Sequence, residues 1–406
     1  MEERRARLVG MAGVGAVVVA SVVQLLRATR YGIDVSNDSM YYLGGTQSLR
    51  LGHGFLMRPG AVIVWHAPGY AFALLPLAFI HHNLLDDARW LNTGLLLATV
   101  ALVAVLVRRA GAGWAATVVA TAAIGLSQPF LRAYSFAWSE TLFLPFVLAG
   151  IIALALYLAG GDRRVLLAAG LAFAAACLAR YTGFPLVAAG VVLVVGRRSS
   201  WRSRVIDGSL FAVSALALPA AWLVRNRIRT GTFTGRHVSN RLPPASVLVR
   251  GARTGAAWVL PSAGRGPAIV VAVALMAMVA LAVGAVVRRR ANPESVVTAA
   301  MLAAYLVGLG LSRVFVDHRI PLDGRILLPA QVLVIVLVGL ALPDVALDAR
   351  ALAWGVASVC VVAIALDSQL WIAAHHRHVR YVQRRDAPLV LDGPPRRLPV
   401  PISPRD

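Results

Sequence analysis

The chain has 406 residues, 59% of them hydrophobic and only 14% charged, with a mean hydropathy of +0.72. Soluble domains are about half apolar and a quarter charged, so this composition excludes an ordinary soluble protein. The net charge of +22 does not point to nucleic acid: there is no lysine, all 40 basic residues are Arg, and they fall between apolar segments, where anionic lipid or a phosphorylated substrate would meet them. An all-Arg, Ala-, Val- and Gly-rich chain also fits a high-GC coding bias.

In chain order, Arg4, Arg5 and Arg7 precede an apolar run at 8–26 that has no small-residue cleavage site, which reads as a retained first helix. Further apolar runs follow at 92–107, 114–131, 141–159, 165–179, 183–196, 207–224, 267–287, 296–312, 326–343 and 350–366. With the first they make eleven candidate spans, each near the length that crosses a hydrocarbon core of roughly 30 Å. The expected fold is therefore all-α, a polytopic transmembrane bundle of about 11 spans over residues 1–366. The run at 67–80 is short, contains Pro68 and Pro76, and lies between His66 and His81–His82, so it reads as an interfacial or re-entrant helix. Residues 367–406 are polar and rich in Pro and Arg, and read as a flexible tail. Cys177 and Cys360 lie in separate apolar runs and read as packing residues.

Basic clusters at Arg4–Arg7, Arg108–Arg109, Arg163–Arg164, Arg197–Arg204 and Arg288–Arg290 recur after every second span. By the positive-inside rule those ends face the cytoplasm, as does the N-terminus. Segments 28–91, 132–140, 180–182, 225–266 and 313–325 then face outward. One of them, 225–266, is itself crowded with arginine, from Arg225, Arg227 and Arg229 through Arg236 and Arg241 to Arg250, Arg253 and Arg265. Either a long loop escapes the rule or this one binds an anion.

Acidic residues are scarce, 18 in all, so Asp38 just after a membrane exit draws notice, although it also suits a helix cap. In this register Asp38, His66, Glu140, Arg180, Arg225 and Arg325 all fall at outward helix ends, where they could line one cavity. Each has a plainer alternative. Arg180 suits a snorkelling interfacial arginine, Glu140 a helix N-terminus, and Arg325 a pair with Asp317 or Asp323. His375, His376 and His378 could share a metal ion but better suit a solvated or headgroup-facing tail.

Several stretches carry a resemblance. Asp38-Ser39-Met40-Tyr41-Tyr42 followed by Leu51-Gly52-His53-Gly54-Phe55 resembles the first outer loop, with its juxtamembrane helices, of GT-C glycosyltransferases. That superfamily includes protein O-mannosyltransferases and aminoarabinose-transferase-like enzymes of bacterial envelopes. Ala67-Pro68-Gly69-Tyr70, Trp138-Ser139-Glu140-Thr141, Leu178-Ala179-Arg180-Tyr181-Thr182-Gly183, Trp222-Leu223-Val224-Arg225-Asn226 and Gly324-Arg325-Ile326-Leu327-Leu328-Pro329 resemble later segments of that family in the expected order.

The resemblance implies a membrane glycosyltransferase, hexosyl or pentosyl, that moves a sugar from a polyprenyl-phosphate donor to an envelope glycolipid, polysaccharide or protein. It implies inversion in a single displacement. Asp38 is then the expected general base, Arg180, Arg225 and Arg325 the donor-phosphate clamp, and Tyr42, His66, Glu140 and Asn226 substrate contacts. Membrane lipids are the surrounding partners. A divalent metal is left open, with no ligand assigned, because Ser39 stands where family members often carry a second acid. The rival from another class is a secondary transporter or lipid flippase with an Arg-lined cavity. A transporter should carry ionisable or helix-breaking residues at mid-membrane, whereas here the charges gather at helix ends.

Overall fold

The computed structural model describes residues 2–58, 60–80, 83–235, 242–258, 260–289, 292–341 and 347–386. His81, His82, Arg236, Arg241 and Arg290, named above in the histidine and arginine clusters, lie outside them.

The chain is a helical bundle. Helix α1 (Glu2–Ala28) is followed by a short non-spanning unit: α2 (Asn37–Arg50), a β1 (Leu56–Arg58) and β2 (Ala61–Val62) antiparallel hairpin, and α3 (Gly69–Ile80). Then come α4 (Leu84–Arg109), α5 (Trp114–Gly125), α6 (Gln128–Tyr134), α7 (Glu140–Gly160), α8 (Arg163–Ala179) and α9 (Phe184–Val195). The remainder is α10 (Trp201–Thr230), α11 (Ala245–Ala256), α12 (Ala268–Arg288), α13 (Pro293–Phe315), α14 (Leu328–Ala341) and α15 (Leu347–Asp386).

Among the described residues seven helices, α1, α4, α7, α10, α12, α13 and a stretch of α15, are long and apolar enough to cross a membrane. The expected span at 114–131 is the pair α5 and α6, bent by 57° where Pro129 follows the break, and counting it makes eight. The other three of the eleven expected spans are α8, α9 and α14, of 17, 12 and 14 residues, shorter than the roughly 20 that a perpendicular crossing needs. The expected short helix at 67–80 is α3, with Pro76 inside it.

Two boundaries differ from expectation. Helix α10 does not stop at 224 but continues to Thr230, where Gly231 supplies the left-handed residue (φ 76°) that ends it. Arg225, Asn226, Arg227 and Arg229 are therefore helical and not part of a loop. The tail expected from 367 is helix as far as Asp386, because the apolar run of α15 continues through Leu370, Trp371 and Ile372. Two of its histidines meet other parts of the chain: His375 Nε2 lies 3.4 Å from Asp34 Oδ2, and His376 Nε2 is 2.6 Å from the Arg27 carbonyl.

Helix α7 forms the centre, packed by α4, α8 and α13, while α12 and α15 are peripheral. Small residues set the close approaches, as in membrane bundles where apolar lipid removes the usual hydrophobic drive. A Cβ on Gly170 would strike Ser214 across the α8–α10 contact. Gly69 matters most here: at the start of α3 a Cβ would lie 2.7 Å from the Leu178 carbonyl oxygen, so α3 sits directly on the last turn of α8.

Candidate active site

Two backbone devices bring distant segments to one place. Asp34 forms an isolated parallel bridge with Phe136, its N–H donating to the Ser135 carbonyl at 2.8 Å. On the other side, buried Asn92 of α4 donates from Nδ2 to the carbonyls of Tyr134 (2.9 Å) and Phe136 (2.7 Å). Asn92 Oδ1 accepts from Tyr70 and Thr141, both at 3.0 Å. An amide has donors and acceptors enough to satisfy all four partners, so one side chain ties α3, α4, α6 and α7 together. The turn between α6 and α7 is thereby fixed against the start of α2.

The start of α2 is defined by a capping box in which Ser36 and Ser39 satisfy each other's backbone N–H groups. Ser39 is thus a capping residue, and Asp38 beside it turns into the site. Ser36 Oγ also accepts from Trp138 Nε1 at 2.7 Å, and the Trp138 ring lies 4.2 Å from the Arg325 guanidinium carbon.

The charged groups form one chain. Arg325 Nη1 is 2.6 Å from Asp38 Oδ2, Arg325 Nε is 2.5 Å from Glu140 Oε1, and Arg325 Nη2 is 3.3 Å from Glu140 Oε2. Arg180 Nη1 meets Glu140 Oε1 at 2.5 Å and Ser139 Oγ at 3.2 Å, and that hydroxyl accepts from Tyr42 OH at 2.8 Å. His66 Nε2 lies 3.9 Å from Asp38 Oδ1, with its ring stacked on Tyr41 and edge-on to Tyr42. Burial works to raise the Asp38 carboxyl, but the charges of Arg325, His66 and Arg180 outweigh it and hold the group below the usual carboxylate range. Burial pushes the His66 imidazole down against the pull of Asp38.

These residues face a cavity of about 610 Å³ whose wall includes Asp38, Tyr42, His66, Arg180 and Arg325. The segment between α13 and α14, which carries Arg325, also contributes Asp317 and Arg319 to the lining, paired at 3.1 Å. Thr182 also lines the cavity, and its buried Oγ1 has no hydrogen-bond partner, nor does the buried Nε of Arg180.

Six of the eight expected site residues are brought together here. Glu140 is at the centre but is 1% exposed and does not line the cavity, and it contacts the two guanidiniums from behind the wall. Arg225 and Asn226 stand apart from the cavity wall. Arg225 donates to Asn226 Oδ1 at 3.0 Å and lies over Trp222, because the prolonged α10 keeps it on a helix face. Buried Asn226 donates to Tyr181 OH (3.3 Å) and to the Phe233 carbonyl (2.9 Å), so it acts on the cavity through Tyr181. Ser139, Trp138, Tyr181 and Thr182 were not singled out from sequence, although each lies in a quoted motif.

Of the carboxylates lining the cavity, Asp38 faces Arg325 at 2.6 Å, Asp317 pairs with Arg319 at 3.1 Å and Asp323 accepts from the backbone N–H groups of Arg325 and Ile326, and among the described residues no group of three or more His, Cys, Asp or Glu could hold a metal. This donor set does not fit a divalent ion.

The helix order and overall course match a solved membrane transferase. ArnT from Cupriavidus metallidurans bound to undecaprenyl phosphate superposes with a TM-score of 0.58 at 16% identity, covering 92% of this chain and 72% of that one. The chain has the GT-C fold. The apo state of the same enzyme gives a TM-score of 0.57 at 16% identity over 84% of this chain and 62% of that one. A protein O-mannosyltransferase complex of S. cerevisiae, bound to the sugar donor, matches at a TM-score of 0.42 and 16% identity, over 55% and 34% of the two chains. No family model and no curated protein sequence matches the chain. Within the GT-C fold the non-spanning unit after α1 is the element that presents Asp38.

Proposed function

We propose that the chain is a glycosyltransferase that moves one sugar from a polyprenyl-phosphate donor to an envelope glycolipid, polysaccharide or protein, with its cavity on the outer side of the membrane. The observation that carries this is Asp38, a carboxylate on the wall of a cavity of about 610 Å³, joined to Arg325 at 2.6 Å. The fold shared with ArnT, solved with undecaprenyl phosphate, supports a lipid-linked donor.

In this reading the donor phosphate enters beside Arg180 and Arg325, with Arg180 Nε and Thr182 Oγ1 as unused donors. Asp38 and Glu140 already balance the two guanidiniums, so the phosphate must draw Arg325 away from Asp38. That exchange raises the basicity of Asp38 as the reaction needs it. The acceptor hydroxyl oxygen then bonds to the anomeric carbon, and its proton passes to Asp38. The carbon–oxygen bond to phosphate breaks, and its electron pair leaves with the polyprenyl phosphate, which the arginines stabilise. Tyr42 and His66 border the acceptor side. Attack from the face opposite the phosphate inverts the anomeric centre. Arg225 is a positioning group in this scheme, acting through Asn226 and Tyr181.

The test is sugar transfer in membranes supplied with radiolabelled polyprenyl-phosphate sugars, hexosyl and pentosyl, comparing the native chain with Asp38→Asn at equal expression. Transfer that falls by about 100-fold or more supports the reading, since general-base loss costs 10²–10⁴. Transfer untouched by the substitution removes Asp38 as the base. Vectorial movement of a lipid or solute with no transfer would replace the enzyme by a transporter.

A further inference from the structure

A second cavity, of about 730 Å³, lies between the start of α6, helix α11, the first turn of α14 and α15. It shares no lining residue with the first. The segment joining α13 to α14 separates them. Asp317, Arg319, Asp323 and Arg325 on that segment line the first cavity, while Leu322 packs on Gly251 of α11 and accepts at its carbonyl from Thr254 Oγ1 at 3.3 Å. Gly324 abuts Pro129 at the start of α6.

The lining has a definite chemistry. Arg250, Arg253 and Arg265 face a single carboxylate, Asp367, which lies 3.8 Å from Arg265 Nη2, so the surplus charge is positive. Two buried polar atoms on the lining have no partner: Oε1 of Gln331, a residue 1% exposed, and Nε1 of Trp258, a residue 8% exposed. A buried acceptor and a buried donor left unmade are each costly, so a ligand offering both a hydroxyl and an acceptor oxygen would be held there. The rim is apolar and open, with Val249 52% and Leu370 70% exposed, and Trp371 joins Trp258 as the aromatic pair typical of the headgroup level. A soluble ion needs no such rim, whereas an amphiphile does.

We propose that this cavity binds the headgroup of an anionic, hydroxyl-bearing membrane lipid, as an accessory ligand distinct from donor and acceptor. The arginines hold the phosphate, Gln331 accepts from a headgroup hydroxyl, Trp258 donates to an oxygen, and the acyl chains lie along Val249 and Leu370. The lipid braces α11 against Leu322 and so steadies the segment that carries Arg325. The arginine surplus of the segment 225–266 is thereby accounted for in part by ligand binding.

Binding is read without any transfer reaction, by native mass spectrometry of the full chain in neutral detergent with phosphatidylglycerol or phosphatidylcholine added, and with inorganic phosphate as competitor. The expected result is preferential retention of phosphatidylglycerol, weakened about thirtyfold by Arg250→Ala with Arg253→Ala, the effect of two arginines facing an anionic headgroup. Both side chains are exposed, so the fold should survive. Gln331→Leu should weaken phosphatidylglycerol while leaving phosphatidic acid, which lacks the glycerol hydroxyls, unchanged. Arg180→Ala should have no effect. Equal retention of phosphatidylcholine, displacement by phosphate at the same concentration as lipid, or loss of binding in Arg180→Ala would each overturn the proposal. Recovery of the bound lipid as a glycosylated product would make the cavity an acceptor site and overturn it as well.

Discussion

Both carboxylate oxygens of Glu140 hold Arg325, Oε1 to Nε at 2.5 Å and Oε2 to Nη2 at 3.3 Å, while Oε1 also meets Arg180 at 2.5 Å. One buried negative charge thus holds two guanidiniums side by side. Glu140→Gln keeps the shape and removes the charge, leaving the arginines to repel each other. Removing one partner of a buried ion group costs on the order of 3–5 kcal/mol. Thermal unfolding of the purified chain should shift down by several degrees, and sugar transfer should be lost with it. An unchanged unfolding profile would mean that Glu140 does not hold this site together.

As the proposed base, Asp38 must be ionised to act, and Arg325 is the largest influence opposing its burial. In the native chain the acid limb of kcat/KM, which reports the free enzyme, should lie below the usual carboxylate range. Activity is retained above that limb and lost as pH falls through it. Arg325→Gln removes the largest charge opposing burial, leaving only His66 and Arg180 against it, and moves the limb to higher pH. A pH–rate profile of the residual transfer checks the direction of the shift.

Gly69 allows α3 to rest on the α8 turn that delivers Arg180. In Gly69→Ala the new methyl would meet Leu178 O at 2.7 Å and Ala179 N at 2.8 Å, both backbone atoms that cannot rotate away. Overpacking of this kind costs about 1–3 kcal/mol. Because the strain falls beside Arg180 and beneath His66, transfer should fall by more than the loss of stability explains. Parallel measurement of unfolding and of transfer at a temperature well below the transition separates the two.

Burial pushes the Asp34 carboxyl up to about 7, against a hydrogen bond from Ser135 and the charge of Arg132. The unfolded carboxyl ionises near about 4. Between those values the folded chain binds the extra proton, so this group's contribution is full below about 4 and is lost as pH rises towards about 7. Asp34→Asn should flatten that decline and leave the variant relatively more stable above neutral pH. Unfolding midpoints from pH 4 to pH 8 for both chains test the sign.

Much of this was legible in the sequence, for reasons that differ by residue. Asp38, Arg180 and Arg325 were legible because scarce acids and helix-end arginines stood within ordered motifs on one expected face. Arg225 stood in an equally good motif, but α10 runs past it to Thr230 and turns it onto Trp222, which no local pattern announced. His375 and His376 looked like members of a solvated tail. They instead meet Asp34 and the end of α1, because the last helix folds back along the first.

By itself, the sequence determined that this chain is a helical membrane protein, roughly where its helices lie, and which few charged residues sit at their ends. Hydrophobic run length and charge spacing are local properties, and bilayer thickness and the cost of buried charge act on them directly. Only the tertiary structure decided that Glu140 meets Arg325 across 185 positions, that Asn92 ties the α6–α7 turn in place, and that the segment carrying Arg325 lines one cavity and packs on the helix α11 that lines the other. Those are distances between side chains on helices far apart in the chain, and they arise from how small residues let the helices approach.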